Sequence, residues 1–207
     1  MKNCLITFLF IFSTSSIFAQ DDYKESGKKG NWIITNQFGI ATLEAEDFFK
    51  VRASVFEGAF SREFFLNEKF SIVTGLEFLR VKADFQDLDN KQQHISNNHI
   101  NLPLSVKFYN NKSDKIALFA EVGLYGSYLY ESKVENIFEN ETQKQKKLGF
   151  NFGQHFIAGL RFKLDKKYSA SLGFKYKSDF SSSYSDSKQQ FELTEYYAVQ
   201  LGLYLVL

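Results

Sequence analysis

The sequence predicts an all-β protein, an eight-stranded antiparallel up-and-down transmembrane β-barrel. Three observations predict this fold. Eight segments alternate between apolar and polar residues with a period of two, which is typical of a strand with two unlike faces. Most gaps between these segments alternate between short and long, like the turns and loops of membrane barrels. Beyond residue 20, no run of 18 apolar residues is present that could form a transmembrane helix.

The composition excludes several classes of protein. The length of 207 residues favours a single domain. The 24 Phe and 11 Tyr exclude a disordered chain, because such chains contain few aromatic residues. A formal net charge of +1 gives no support for nucleic-acid binding. One cysteine cannot build a disulfide framework or a cysteine metal site. The composition therefore points to a globular or barrel-like chain without a nucleic-acid partner.

The N-terminus has the pattern of an export signal. Lys2 precedes an apolar run over residues 5–12, and Ile17-Phe18-Ala19 is the expected cleavage site before Gln20. We therefore expect residues 1–19 to be a cleaved signal peptide and residues 20–207 to form the exported barrel. The alternative is that this segment is a buried N-terminal helix or strand.

The first three predicted strands and the last one, 196–207, are the less regular ones. The apolar face of the segment 32–42 contains Asn36, and that of the segment 49–60 contains Glu57. In the segment 70–81, the apolar residues alternate with Ser71, Gly75 and Glu77. Each segment still has the length and alternation of a strand.

The other four predicted strands alternate more regularly. They cover residues 100–109, 115–130, 148–164 and 168–177. Gln154 interrupts the apolar face of the third of these segments, and Pro103 lies within the first. A proline in a strand predicts an edge, a bulge or a bend at that point.

The gaps between strands predict turns at one end and loops at the other. The gaps 61–68, 110–114 and 165–167 are short, whereas 82–98, 131–147 and 178–195 are long and polar. We expect the long gaps to be solvated outer loops, with 43–48 as a short first loop. A short amphipathic helix at 134–147 is the alternative for the middle one.

The bulk of the apolar faces indicates that they face lipid. Rows of Phe, Leu and Tyr are too large to fill the narrow interior of eight strands, whereas the opposite faces carry Gly, Ser, Asn and single charges. A spanning sheet must also close on itself, because hydrocarbon cannot hydrogen-bond the backbone. We therefore expect outer-membrane lipid around the barrel. The alternative is a soluble secreted barrel or sandwich with the apolar rows inside.

Four segments resemble one family of membrane proteins. They are Asn101-Leu-Pro-Leu-Ser-Val-Lys-Phe-Tyr109, Phe119-Ala-Glu-Val-Gly-Leu-Tyr-Gly126, Phe156-Ile-Ala-Gly-Leu-Arg-Phe162 and Gln200-Leu-Gly-Leu-Tyr-Leu-Val-Leu207. The chain resembles the small outer-membrane β-barrel proteins of Bacteroidetes, the group that includes PorT-like proteins. The resemblance implies an outer-membrane location. It also implies that residues 200–207 are read by the barrel-assembly machinery, although an aromatic residue is commoner than Leu207 at the last position.

Charged residues on the polar faces are the candidate site. We expect a network inside the barrel, because buried charges must pair, and we expect Glu121 to pair with Lys107 on the neighbouring strand. The candidate residues are Arg52, Glu77, Lys107, Glu121, His155, Arg161, Lys163 and Lys175. The alternative is a polar path or a site for a small solute.

No motif predicts an enzyme, a metal site or a cofactor. His94 and His99 lie five residues apart without a third ligand nearby, and no phosphate loop, HExxH or GxSxG motif is present. We expect a structural, binding or secretion-accessory barrel whose long loops could meet a protein or a surface ligand. The alternatives are a narrow channel or small-solute transporter, a lipid-modifying enzyme, and a soluble binding barrel.

Overall fold

The protein folds into eight long strands. The computed structural model describes residues 30–45, 49–86, 92–111, 113, 115–136, 141–183 and 191–206. Within these ranges, no helix is both long and apolar enough to cross a membrane. The predicted signal peptide at 1–19 lies outside the described residues. The strands are β1 (Asn31–Ala45), β2 (Phe49–Phe65), β3 (Phe70–Gln86), β4 (Gln92–Asn111), β5 (Ile116–Asn136), β6 (Glu141–Lys163), β7 (Tyr168–Ser183) and β8 (Phe191–Val206).

The strands close into an antiparallel barrel in chain order, which confirms the predicted fold class. β1 pairs with β8 from Asn31↔Val206 to Ala45↔Phe191 and so joins the two ends of the sheet. The paired residues can be followed once around the barrel, starting at Phe108 on β4 and passing through β5 to β8 and then β1 to β3. This path returns to β4 at Asn98, ten residues away from Phe108 along the strand. At ~3.3 Å per residue and ~4.8 Å between strands, this stagger tilts the strands by about 40°.

Both described chain ends and the three short turns lie at one end of the barrel, which we call the turn end. Each turn is closed by a side chain that accepts hydrogen bonds from backbone N–H groups two and three residues later. The distances are 2.8 and 2.9 Å for Asn67, 3.3 and 3.1 Å for Ser113, and 2.6 and 2.7 Å for Asp165. Asn, Ser and Asp favour tight turns for this reason.

At the opposite end, which we call the loop end, the strands continue through most of the predicted loops. β3 and β4 stay paired up to Gln86↔Gln92, and β5 and β6 stay paired up to Asn136↔Glu141. The expectation of solvated loops at 82–98, 131–147 and 178–195 is therefore wrong for most of these residues, as is the helix alternative at 134–147. The strand pairing persists because Ile95 and Val134 bury their side chains inside the barrel. The remaining tips at 87–91, 137–140 and 184–190 lie outside the described residues.

A band of apolar side chains surrounds the outside of the barrel, as the bulk argument predicts. On β4, for example, the outward residues from Ile100 to Phe108 span about 20–25 Å along the barrel axis at ~3.3 Å per residue and this tilt, close to the height of a membrane-barrel band. Asn36 and Gln154 also face outward within the band. Its large members include Trp32, Ile34, Phe38, Ile40, Phe56, Phe60, Phe64, Phe78, Leu102, Leu104, Phe108, Leu124, Phe150, Phe152, Phe156, Leu172, Phe174, Val199, Leu201, Leu203 and Leu205.

The faces exchange their polarity along β2. Near the turn end, Phe60 faces outward and Glu63 faces inward, but near the loop end Val51 and Val55 are buried while Arg52 is exposed. The predicted faces of the segment 49–60 were therefore inverted, with Glu57 inside and Arg52 outside. The reason is that the loop end projects beyond the apolar band, where burying apolar side chains inside is the favourable arrangement.

The interior of the loop end is consequently apolar. A continuous cluster of buried side chains fills it between β1–β5 and β8. Its members are Ala41, Leu43, Val51, Ala53, Val55, Leu79, Val81, Ala83, Ile95, Val134, Leu193, Tyr196 and Ala198. Polar side chains and two smaller buried clusters occupy the interior between this cluster and the turn end. The smaller clusters are Ile33, Val73 and Tyr204, and Tyr109, Phe119 and Ile157.

Pro103 lies where the pairing of β3 with β4 is interrupted. The paired residues run to Thr74↔Leu104 and resume at Glu77↔Asn101. The hydroxyl of Thr74 donates a hydrogen bond to the Pro103 carbonyl at 2.9 Å. Since proline has no N–H to donate, a local break in the ladder is expected there.

Candidate functional site: the polar interior

Four charged side chains meet at the middle of the barrel, and we call them the central quartet: Glu57, Glu77, Lys175 and Lys177. The Lys177 ammonium donates to Glu57 at 2.7 Å and to Glu77 at 2.8 Å. The Lys175 ammonium donates to Glu77 at 2.8 Å and also to Glu57. All four residues are at most 5% exposed. The two positive and two negative charges compensate one another, which is the condition for burying them.

The quartet crosses the interior. Glu57 and Glu77 lie on β2 and β3, whereas both lysines lie on β7 on the far side of the barrel. The Lys177 ammonium also lies 4.4 Å from the ring centre of Tyr125. These cross-barrel contacts leave the middle of the interior filled by side chains, as expected for eight strands.

A second polar layer, centred on Lys107, lies closer to the turn end. The Lys107 ammonium lies 3.3 Å from a Glu121 carboxylate oxygen and donates to the Tyr204 hydroxyl at 2.9 Å. Glu121 also accepts from the Ser105 hydroxyl at 2.6 Å, and its carboxylate lies 3.6 Å from His155 Nε2. Because Lys107 is on β4 and Tyr204 on β8, this layer crosses the interior too.

A third layer, centred on Glu63, closes the interior near the turn end. The buried Glu63 carboxylate accepts from Asn31 at 2.5 Å, Tyr109 at 2.6 Å and Ser71 at 2.8 Å. The Arg161 guanidinium lies 3.8 Å from the same carboxylate. A cleft of about 600 Å³ opens at the turn end, and Asn31, Tyr109 and Arg161 are among its lining residues.

Most of the predicted site residues face the interior, but they belong to different layers. Glu77 and Lys175 are in the central quartet, and Arg161 is in the third layer. Lys107, Glu121 and His155 form the second layer, in which Lys107 and Glu121 are also direct partners in the strand register.

Two predicted interior residues lie elsewhere. Arg52 is exposed on the outer surface, because Val51 and Ala53 occupy the inward positions on β2. Lys163 is exposed and lines the rim of the turn-end cleft, because β6 ends there.

Sequence reasoning missed Glu57, Lys177, Glu63, Tyr109 and Tyr204. Glu57 carried a usable signal, since a carboxylate on a supposedly lipid-facing row argues that the row faces inward. Lys177 carried a weaker one, because it shares the polar face of its segment with Lys175. Tyr109 and Tyr204 carried none, because a tyrosine suits either face of such a strand.

The polar interior contains a serine–histidine contact, and at the loop end His94 Nδ1 lies 2.6 Å from a carboxylate oxygen of Asp84. His99 Nδ1 lies 3.2 Å from the Ser127 hydroxyl, and both residues are buried inside the barrel. A lipid-modifying enzyme would need such a pair where it can meet lipid. Among the described residues, no three His, Cys, Asp or Glu side chains are grouped as metal ligands.

Comparisons with solved structures find other proteins of bacterial outer membranes. Neisserial surface protein A is 8% identical to this chain with a TM-score of 0.55, and the match covers 85% of this chain and 97% of that one. Ail of Yersinia pestis, solved with the heparin analogue sucrose octasulfate, is 13% identical with a TM-score of 0.44 and coverages of 86% and 99%. OprG of Pseudomonas aeruginosa is also 13% identical, with a TM-score of 0.42 and coverages of 86% and 94%. At these identities the likeness concerns the fold alone.

No curated protein sequence matches the chain significantly. A family model does match, over residues 18–175, and its description is outer membrane protein beta-barrel domain. The matched region covers most of the strands described above and agrees with the closed barrel and its apolar band. The chain therefore belongs to the outer membrane protein beta-barrel domain family and is located in the outer membrane.

Proposed function

We propose that the protein is a non-conducting, non-enzymatic barrel that serves as a structural or binding platform at the cell surface. In outer-membrane barrels the short turns face the periplasm and the longer connections face outward, so the loop end is the external end. The observation that carries the proposal is the filled interior. Ion pairs and hydrogen bonds cross it in three layers, and an apolar cluster lies above them.

The length of the strands supports the binding role. β5 has 21 residues and β6 has 23, whereas a tilted strand needs only ~9–11 residues to span a membrane. About half of each strand therefore extends into the external medium as a paired, internally packed sheet. Such a rigid support suits the presentation of the connecting tips to a protein or a surface ligand.

The test is electrical. The folded protein, reconstituted in planar lipid bilayers, should give no conductance above that of the empty membrane. Reproducible conductance steps would support the alternative of a narrow channel or small-solute transporter if their size changes in the Lys175→Ala variant. The size should stay unchanged in the Lys163→Ala variant, because Lys163 lies at the rim.

The resemblance to PorT-like proteins supports one narrower role, that of an accessory in secretion. We propose that residues 200–207 are recognised by the barrel-assembly machinery during insertion. Crosslinking and co-purification from the native membrane would test both partners. Recovery of the tagged protein without any secretion component would count against the accessory role.

A further inference from the structure

A group of cations lies on the outer surface just above the apolar band, on β2 and β3. On β2, the residues above Phe56 that face outward are Ser54 and Arg52. On β3, the residues above Phe78 that face outward are Arg80 and Lys82. All four are exposed, so three positive charges stand where the hydrocarbon ends.

The strand register brings these side chains together. Ser54 is the direct partner of Lys82, Thr42 on β1 is the partner of Arg52, and Asn98 on β4 is the partner of Arg80. Paired residues on adjacent strands are ~5 Å apart, so long side chains in neighbouring rows reach a common point. We call Arg52, Arg80, Lys82, Thr42, Ser54 and Asn98 the cationic patch.

The patch has no carboxylate of its own. Among the described residues, none of its three cations forms an ion pair, and Arg80 donates instead to the Asn98 side-chain oxygen at 2.9 Å. Other outward cations of the loop end are paired, namely Lys50 with Glu44 at 3.4 Å, Lys144 with Glu131 at 2.7 Å, and Lys133 with Glu135. In the described part of the chain, the three cations of the patch therefore differ from these three lysines in having no carboxylate within ion-pair distance.

We propose that the cationic patch binds the phosphate groups of a glycolipid in the outer leaflet. A phosphate monoester carries about −1.5 to −2 charges at neutral pH and accepts several hydrogen bonds, and arginine meets it with two parallel donors. The hydroxyl of Thr42 adds a neutral donor beside the cations, whereas the Ser54 hydroxyl donates to the Lys82 carbonyl at 3.3 Å. The position next to Phe56 and Phe78 lets the acyl chains of the same molecule lie against the band.

The test uses the full folded chain in detergent micelles, titrated with lipid A that carries two phosphates or none and followed by native mass spectrometry. The test variant combines Arg52→Gln, Arg80→Gln and Lys82→Gln. The matched control combines Lys50→Gln, Lys133→Gln and Lys144→Gln, which removes the same charge from paired positions. The test variant should bind the phosphorylated lipid at least about tenfold more weakly than the wild type.

Three results would overturn the proposal: equal losses in the two triple variants, equal binding of the two lipids by the wild type, or displacement of the lipid by millimolar inorganic phosphate. The last result would mean that the patch recognises free phosphate. A heat-induced mobility shift on gels verifies folding of each variant. If the test variant does not fold, the single variant Lys82→Gln should still bind the phosphorylated lipid about threefold more weakly than the wild type. The single control variant Lys144→Gln should bind it as tightly as the wild type.

Discussion

Removing one lysine from the central quartet should destabilise the barrel strongly. In a Lys175→Met variant, Glu57 and Glu77 keep Lys177 as their ammonium partner but lose Lys175. The quartet then has a net charge of −1 at a site that is almost fully shielded from water. Leaving one member of a buried ion cluster uncompensated costs about 3–5 kcal/mol, and we expect the free energy of unfolding to fall by that amount.

The measurement is urea unfolding in phospholipid vesicles, followed by the gel mobility of folded and unfolded chains. Lys163→Met is the matched control. It makes the same substitution at a lysine that the sequence also placed inside the barrel, but that is exposed at the rim of the turn-end cleft. Its effect should stay within about 0.5 kcal/mol. Adding Glu57→Gln to Lys175→Met restores neutrality and should recover part of the loss. Equal effects of Lys175→Met and Lys163→Met would refute the electrostatic argument.

Three other predictions concern packing and position. Gly123→Ala should lower the free energy of unfolding by about 1–3 kcal/mol, because the added Cβ would lie 2.4 Å from the Ser105 side chain on the adjacent strand. The control Gly126→Ala, whose Cβ would lie 3.7 Å from its nearest neighbour, should be nearly neutral in the same urea assay. Tyr109→Phe removes the hydroxyl that donates to Glu63 at 2.6 Å and should lower the unfolding free energy by about 1.5–3 kcal/mol; an unchanged urea midpoint would contradict this. Trp32 is the one tryptophan of the chain, and it is 37% exposed near the turn end. Lipids brominated on the acyl chain close to the headgroup should therefore quench its fluorescence more than lipids brominated near the ends of the acyl chains.

The alternation of side chains was sufficient to predict most of the fold. On β4 between Ile100 and Phe108, large apolar residues alternate with small or polar ones, and a period of two assigns these to opposite faces. The bulk of the apolar rows then decides that they face lipid. The predicted turns also follow from local chemistry, since Asn67, Ser113 and Asp165 close them with their own side chains.

The site was less predictable, because it depends on contacts across the barrel. Lys107 and Glu121 are neighbours in the register, so adjacent strands were enough to suggest their pairing. The quartet joins β7 to β2 and β3, and nothing in the spacing of the sequence predicts which residues meet across the interior. Arg52 was misplaced for a related reason, since its strand passes from lipid to water.

By itself, the sequence determined the number of strands, their antiparallel order and the lipid-facing side of most of them. These properties depend on residues close together in the chain and on one rule for hydrocarbon, that apolar side chains face out. Only the tertiary structure decided how far the strands rise beyond the membrane, which of their faces then points outward, and which charges meet inside. Those properties depend on the closure and stagger of the whole barrel, because the rule for side chains reverses where water replaces lipid.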